Sequence, residues 1–312
     1  MSDPQAPLQV TPPGPHPRSR EPFLRRLSPV AFALFALAAI FILYQVVGGV
    51  ITLVIARGEI TPDNVGLVRW ATFFGQILFI LIPTILFARW RHGRVVQFLR
   101  IRVPEIRELV VTMIAVFALQ QVLQTYMILQ ESIPLPSELQ KFVDLLKKMI
   151  EETYRVLVLA HSPLEFLVVL LIVALVPAIS EELLFRGLVQ RNLEDAVGGM
   201  RGAILAGIIF GAYHLNPFGI VPLVALGVYF GFIVYRSENI TLAVSAHFFN
   251  NFVACAAVYL QLDENFVVID PSARPTGSLI AVNFMIFALV FVLSTLYFIH
   301  ITGRDDQREE PY

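Results

Sequence analysis

Residues 164–190 read LEFLVVLLIVALVPAISEELLFRGLVQ, an almost uninterrupted apolar run followed by two acids and an arginine. A helix needs roughly 20 apolar residues to cross about 30 Å of hydrocarbon, and this run is long enough to do so. Each charged side chain inside such a span costs roughly 2.5 to 3.5 kcal/mol. The run therefore predicts a membrane-spanning helix whose charged residues have a specific partner or a specific function.

The rest of the chain has the same apolar character. Of its 312 residues 56% are hydrophobic and only 15% are charged, which excludes an ordinary soluble domain. Comparable apolar runs cover residues 29–56, 66–88, 108–129, 201–217, 218–236, 240–260 and 278–300. The pattern predicts an all-α, polytopic transmembrane helical bundle of about eight spans surrounded by membrane lipid. Because the fifth run is short, a seven-span or re-entrant arrangement stays open.

The charged residues indicate an orientation and exclude one class of partner. The formal net charge is -1 and the basic residues are spread along the chain, so no nucleic-acid partner is expected. Lysine and arginine favour the cytoplasmic side of a membrane. With eight spans, 15 basic residues fall on the side of the N-terminus and seven on the other. This distribution predicts an integral, multi-pass protein with both termini in the cytoplasm, in the plasma membrane of a bacterium or the endoplasmic reticulum of a eukaryote.

The loop over residues 130–162 mixes apolar residues with charges at helical spacing. Such a pattern is typical of an amphipathic helix that lies on a membrane surface. An interfacial connector is favoured over a lid.

The charges of the 164–190 run fall on different faces of the predicted helix. Glu182 and Arg186 are four residues apart, in the order that favours an ion pair along a helix. Glu181 points about 100° away from Glu182 and has no such partner in its own helix. Glu182 and Arg186 are therefore expected to be structural, whereas Glu181 needs a partner on another helix.

Two later apolar runs supply polar residues for such a partnership. One contains His214, and another contains His247 and Asn251, which are four apart and share a helical face. A single histidine in a span usually makes an interhelical hydrogen bond. A carboxylate, two imidazoles and an amide together provide what amide hydrolysis requires, namely a base, an acid or metal ligand, and donors to an oxyanion.

Three motifs in this part of the chain resemble those of a known family. They are Glu-Glu-x-x-x-Arg at 181–186, Phe-x-x-x-His at 210–214 and His-x-x-x-Asn at 247–251. In this order they resemble the CAAX-protease and bacteriocin-processing (CPBP, or Abi) intramembrane proteases, which include the Rce1-type prenyl protease. The resemblance covers roughly residues 165–260.

The resemblance implies a role for each motif residue. Glu181 is expected to be the general base that activates water, with assistance from His214. His247 and Asn251 are expected to stabilise the oxyanion of the tetrahedral intermediate. The remaining motif residues are expected to be structural, namely Glu182, Arg186 and Phe210.

A metal-assisted reaction is the alternative chemistry. A zinc ion held by Glu181, His214 and His247, with an open position for water, would resemble a catalytic zinc site. The sequence leaves the choice between the two chemistries open.

These observations predict an enzyme, a CAAX-type endopeptidase that cuts near the C-terminus of a lipidated or membrane-bound peptide. Prenylation of that peptide or protein is implied by the resemblance alone. The alternatives are a non-catalytic immunity or scaffold protein of the same fold and a proton-coupled transporter, which also buries carboxylates and histidines. The predicted division of the chain is a flexible cytoplasmic tail (1–28), N-terminal spans with the amphipathic helix (29–162), a catalytic core (163–260), and a last span with a cytoplasmic tail (261–312).

Overall fold

The structure is a computed structural model that describes residues 23–262 and 277–303. Residues 1–22 of the predicted first tail (1–28) and residues 304–312 of the predicted second tail lie outside the described residues. The described part of the first tail contains the helical turn Phe23–Arg26. The described residues form helices joined by short connections, with no strand among them. The prediction of an all-α polytopic bundle is confirmed.

The bundle contains nine longer helices within the described residues, numbered here in chain order. Seven of them are long and apolar enough to cross a membrane, and the exceptions are α4 and α6. The nine helices are α1 (Pro29–Ala56), α2 (Val65–His92), α3 (Ile106–Glu131), α4 (Ser137–Val158), α5 (Pro163–Val197), α6 (Gly199–Tyr213), α7 (Ile220–Ser237), α8 (Ile240–Tyr259) and α9 (Gly277–Ile301).

Most of the seven long apolar helices expose large apolar side chains on their outer faces, as lipid requires. Helix α9 packs against α3. Leu289, Leu293 and Leu296 on α9 are each more than half exposed. A row of exposed leucines along a 25-residue helix is compatible with hydrocarbon and unfavourable in water. The chain is therefore an integral, multi-pass membrane protein.

The predicted count of about eight spans differs from the structure at the fifth run. Helix α6 has 15 residues and ends at Tyr213, short of the roughly 20 residues needed to cross hydrocarbon. The backbone turns at once, because Leu215 adopts a positive φ of 52°. The remainder of the predicted fifth run is the connection to α7, so the count of long apolar helices in the described residues is seven.

Helices α6 and α7 form an antiparallel hairpin with small residues at its interface. A Cβ atom on Gly211 would overlap Val224 near the turn, and one on Gly199 would overlap the ring of Tyr235 at the open end. The two helices are therefore in contact over their whole length. The hairpin returns to the side on which it starts, so the direction of α8 is the same whether or not the hairpin crosses the membrane.

Helix α4 lies within the loop for which the sequence predicts an amphipathic helix, and its C-terminal end is anchored to the bundle. The last carbonyl groups of a helix have no partner within the helix. Arg69 on α2, whose side chain is buried, supplies these partners at the end of α4. Its guanidinium donates to the carbonyl oxygens of Val156, Leu157 and Leu159. It also forms an ion pair with Glu165 at 2.7 Å, so a single side chain ties α2, α4 and α5 together.

Three of the long helices contain π-helical segments. Such segments are rare in proteins and are found mostly as short insertions at functional sites. Among the described residues they occur in α1, α2 and α5, the helices that surround the site described next. They are Ile42–Gly48, Gln76–Leu81, Leu170–Leu175 and Leu183–Gln190.

Candidate active site

Helix α5 carries both acids of the first motif. They end the α-helical segment Val176–Glu182, which lies between two π-helical segments. Adjacent helical residues point in different directions, and the two environments differ accordingly. The side chain of Glu182 is fully buried, whereas that of Glu181 is 14% exposed. The two carboxylates therefore belong to separate polar clusters.

The first cluster contains the ion pair that the spacing predicts. The guanidinium Nε of Arg186 lies 3.1 Å from Glu182 Oε2, and both side chains are fully buried. Arg186 also donates to the carbonyl oxygen of Gly227 on α7 at 2.8 Å, and its charged group lies 4.5 Å from the centre of the Phe210 ring. Phe210 thus packs on the cation, and the pair links α5 to α6 and α7.

His247 belongs to this first cluster too, which spacing along the chain does not indicate. Its Nδ1 atom lies 2.9 Å from Glu182 Oε1. Because a carboxylate oxygen accepts, Nδ1 carries the hydrogen, and Nε2 is the ring nitrogen left for another partner. The ring stacks on Phe230 and meets Phe210 edge-on, so its plane is fixed on both sides.

The second cluster joins Glu181 to His214. Their closest atoms, Oε2 and Nε2, are 3.6 Å apart, and the imidazole is 29% exposed. His214 Nδ1 lies 2.7 Å from the carbonyl oxygen of Phe210, so Nδ1 donates and Nε2 faces the carboxylate. His214 is the residue that follows the last residue of the short helix α6, so the pair lies at the C-terminal end of that helix. Unlike the sealed first cluster, this one is open to a small molecule such as water.

Asn251 is held against the backbone of α5. Its Nδ2 atom donates to the carbonyl oxygen of Val173 at 3.3 Å, and its Oδ1 accepts from Asn250 at 3.2 Å. The amide nitrogen has two hydrogens, so one stays available. The structure thus divides the four predicted catalytic residues: Glu181 and His214 contact each other, His247 contacts Glu182, and Asn251 contacts α5.

Comparison with known proteins bears on the segment that carries these clusters. Residues 163–253 match the family model described as type II CAAX prenyl endopeptidase Rce1-like. This match confirms the resemblance predicted from the three motifs, all of which lie inside the matched range. No curated protein and no solved structure matches the chain.

Two residues outside the Rce1-like segment also reach the second cluster. Gln76 on α2 lies 3.4 Å from Glu181 Oε1, and it donates to the hydroxyl oxygen of Tyr44 on α1 at 3.0 Å. Neither residue belongs to any of the three motifs. The available signal for Gln76 was a glutamine in the middle of the mostly apolar run at 66–88.

A cavity of about 980 Å³ lies between α1, α2 and α4. Tyr44 forms part of its wall, and α4 contributes Met149 and Val156. Glycines make the space on the α1 side, where a Cβ atom on Gly49 would meet no atom within 4 Å. The cavity therefore adjoins Tyr44, the hydrogen-bond partner of Gln76.

The arrangement does not fit the alternative of a catalytic zinc ion. Such a site uses three protein ligands at about 2.0 to 2.2 Å from the metal. In the described parts of the chain, no group of three or more histidine, cysteine, aspartate or glutamate residues is arranged to hold a metal ion. The predicted ligand set is therefore not brought together, and a metalloprotease finds no support here.

Proposed function

We propose that the protein is an intramembrane endopeptidase of the CAAX type. It hydrolyses a peptide bond near the C-terminus of a lipidated or membrane-bound peptide with water activated by a glutamate. The observation that carries this proposal is the contact between Glu181 and His214, both partly open, within the Rce1-like segment. Two titratable groups facing each other in an open position suit proton transfer.

Glu181 is the general base in this mechanism. A water molecule in contact with Glu181 Oε2 and His214 Nε2 gives its proton to the carboxylate as its oxygen attacks the carbonyl carbon of the peptide. The C–N bond then breaks, and the proton passes to the leaving nitrogen. The carbonyl oxygen of Phe210 holds His214 Nδ1, which keeps the ring turned towards Glu181 through both steps.

His247 and Asn251 are proposed as donors to the oxyanion. In this step the His247 ring would carry a hydrogen on both nitrogens: Nδ1 donates to Glu182, which orients the ring, and Nε2 donates to the tetrahedral intermediate. Asn251 would use the hydrogen of Nδ2 that its bond to Val173 leaves available. Glu182 and Arg186 then position His247 and do not touch the substrate.

We propose that the protein lies in the plasma membrane of a bacterium or in the endoplasmic reticulum membrane of a eukaryote. Both termini are then on the cytoplasmic side. The distribution of basic residues supports this orientation, and the returning α6–α7 hairpin leaves it unchanged. Labelling of single introduced cysteines with a membrane-impermeant reagent tests it. The background is low, because the native Cys255 is buried.

Cleavage by the purified protein tests the function itself. Two peptides of one sequence are compared, one with a farnesylated cysteine near its C-terminus and one without the lipid, and the products are identified by mass spectrometry. We expect cleavage near the C-terminus and a loss of about 10² to 10⁴ in rate in His214→Ala. If the wild-type protein cleaves neither peptide, the proposal is wrong. Neither the immunity or scaffold alternative nor the transporter alternative has a specific observation in its favour.

A further inference from the structure

The carboxylate of Glu181 is held from a helix outside the Rce1-like segment. Nε2 of Gln76 on α2 lies 3.4 Å from Oε1 of this carboxylate. The other oxygen, Oε2, is the one near His214 Nε2. The two carboxylate oxygens therefore have different partners, one on α2 and one on α6.

The side chain of Gln76 is itself fixed at both ends of its amide. Its Oε1 accepts from the hydroxyl of Ser180 at 2.7 Å, and its Nε2 donates to the hydroxyl oxygen of Tyr44 at 3.0 Å. Gln76 is 4% exposed and Ser180 is fully buried, so water does not compete for these bonds. An amide with defined partners on both atoms holds one orientation.

Tyr44, Gln76 and Ser180 all lie within or close to π-helical segments of their helices. Tyr44 lies in the π-helical segment of α1, and Gln76 begins that of α2. Ser180 and Glu181 lie between the two π-helical segments of α5. A π turn shifts the register of a helix and re-aims its side chains, at the cost of regular hydrogen bonding. Three helices make this change where their side chains meet at Glu181.

We propose that Gln76, supported by Tyr44 and Ser180, is a positioning residue that holds Glu181 by one oxygen so that the other faces water and His214. This inference rests on the proposed function. It implies that the active site is completed by α1 and α2, which lie outside the Rce1-like segment. The hydrogen bond at Oε1 favours the carboxylate orientation in which Oε2 faces His214 and the attacking water.

A purely structural role for Gln76 as an interhelical contact makes a different prediction. A structural contact changes how much protein is folded, whereas a positioning residue changes the turnover of each folded molecule. The test is therefore kcat and KM per folded protein for Gln76→Met, which keeps the length of the side chain and removes the amide. We expect kcat to fall by about 10- to 100-fold, as is usual when a supporting hydrogen bond or the placement of a reacting group is lost, with KM nearly unchanged.

Gln120→Met is the matched control. Gln120 is also a glutamine within a long apolar helix, and its amide donates to the backbone carbonyl of Asn250. We expect its kcat to stay at the wild-type value. If Gln76→Met does not fold, Tyr44→Phe takes its place, because it removes only the hydroxyl that accepts from Gln76. We expect a several-fold loss of kcat there, and an unchanged kcat in either variant overturns the inference.

Comparison with Glu181→Gln separates a failure of this inference from a failure of the proposed function. If Glu181→Gln is inactive and Gln76→Met turns over at the wild-type rate, only the positioning role is wrong. If Glu181→Gln retains the wild-type rate, the function and the inference are both wrong.

Discussion

Replacing Arg186 by methionine is expected to destabilise the protein strongly. The change leaves the carboxylate of Glu182 fully buried beside His247 alone, without the guanidinium 3.1 Å away. Removing one partner of a buried ion pair costs roughly 3 to 5 kcal/mol, because the remaining charge has lost its compensation. Both side chains are fully buried, so solvent screening does not reduce this value. The lost packing of the cation on Phe210 acts in the same direction.

The assay is reversible unfolding of the purified protein in detergent micelles, followed by circular dichroism. Lys148→Met is the control, because Lys148 and Glu152 form an ion pair at the same spacing along α4 but are largely exposed. We expect the control to change the free energy of unfolding by less than about 0.5 kcal/mol. The double variant Glu182→Gln, Arg186→Met should recover part of the loss, because neither charge is then left alone. A loss below about 1 kcal/mol in Arg186→Met would refute the view that this pair holds the bundle together.

Three further predictions concern the hairpin, the amphipathic helix and the metal alternative. Gly207→Leu should destabilise the bundle by about 1 to 3 kcal/mol in the same unfolding assay, because its side chain would overlap the α7 backbone, whereas Gly66→Ala meets no atom within 4 Å and should be nearly neutral. Arg69→Met should release the C-terminal end of α4, measured as faster proteolysis between α4 and α5; an unchanged cleavage pattern would argue against this anchor. Dialysis against a chelator should leave peptide cleavage unchanged, and a loss of activity that added zinc restores would favour the metal-assisted reaction instead.

Hydrophobicity and helical spacing predict much of this molecule because they act locally. A long apolar run such as 164–190 has only one stable form in lipid, since a helix satisfies every backbone polar group within the segment. The Glu182–Arg186 pair is predictable for the same reason, because four residues bring two side chains to one helical face. The separation of Glu181 from Glu182 follows from the same geometry.

The structure differs from the prediction at the fifth apolar run, where the helix ends before the run does. Residues 201–217 are predicted as one apolar run, yet α6 stops at Tyr213 and the chain turns at Leu215. Hydropathy measures the preference of side chains for lipid and carries little information on where a helix ends. The short helix is nevertheless what brings His214 to Glu181.

Contacts between helices depend on rotation and packing that spacing along the chain does not encode. His247 contacts Glu182 across 65 residues, and Gln76 contacts Glu181 across 105. The motif pattern indicates that the histidine matters but does not say which of two adjacent acids it meets. Gln76 lies outside every motif, so only the folded arrangement reveals its partner.

The central claim is that two adjacent acids have different tasks, Glu181 in the chemistry and Glu182 in the framework. The most direct test measures peptide cleavage and the free energy of unfolding for Glu181→Gln and Glu182→Gln side by side. We predict that Glu181→Gln cleaves at less than about 1% of the wild-type rate with unchanged unfolding. Glu182→Gln should lower the free energy of unfolding, because Arg186 is then buried without its counter-charge. Wild-type cleavage by Glu181→Gln would contradict the account.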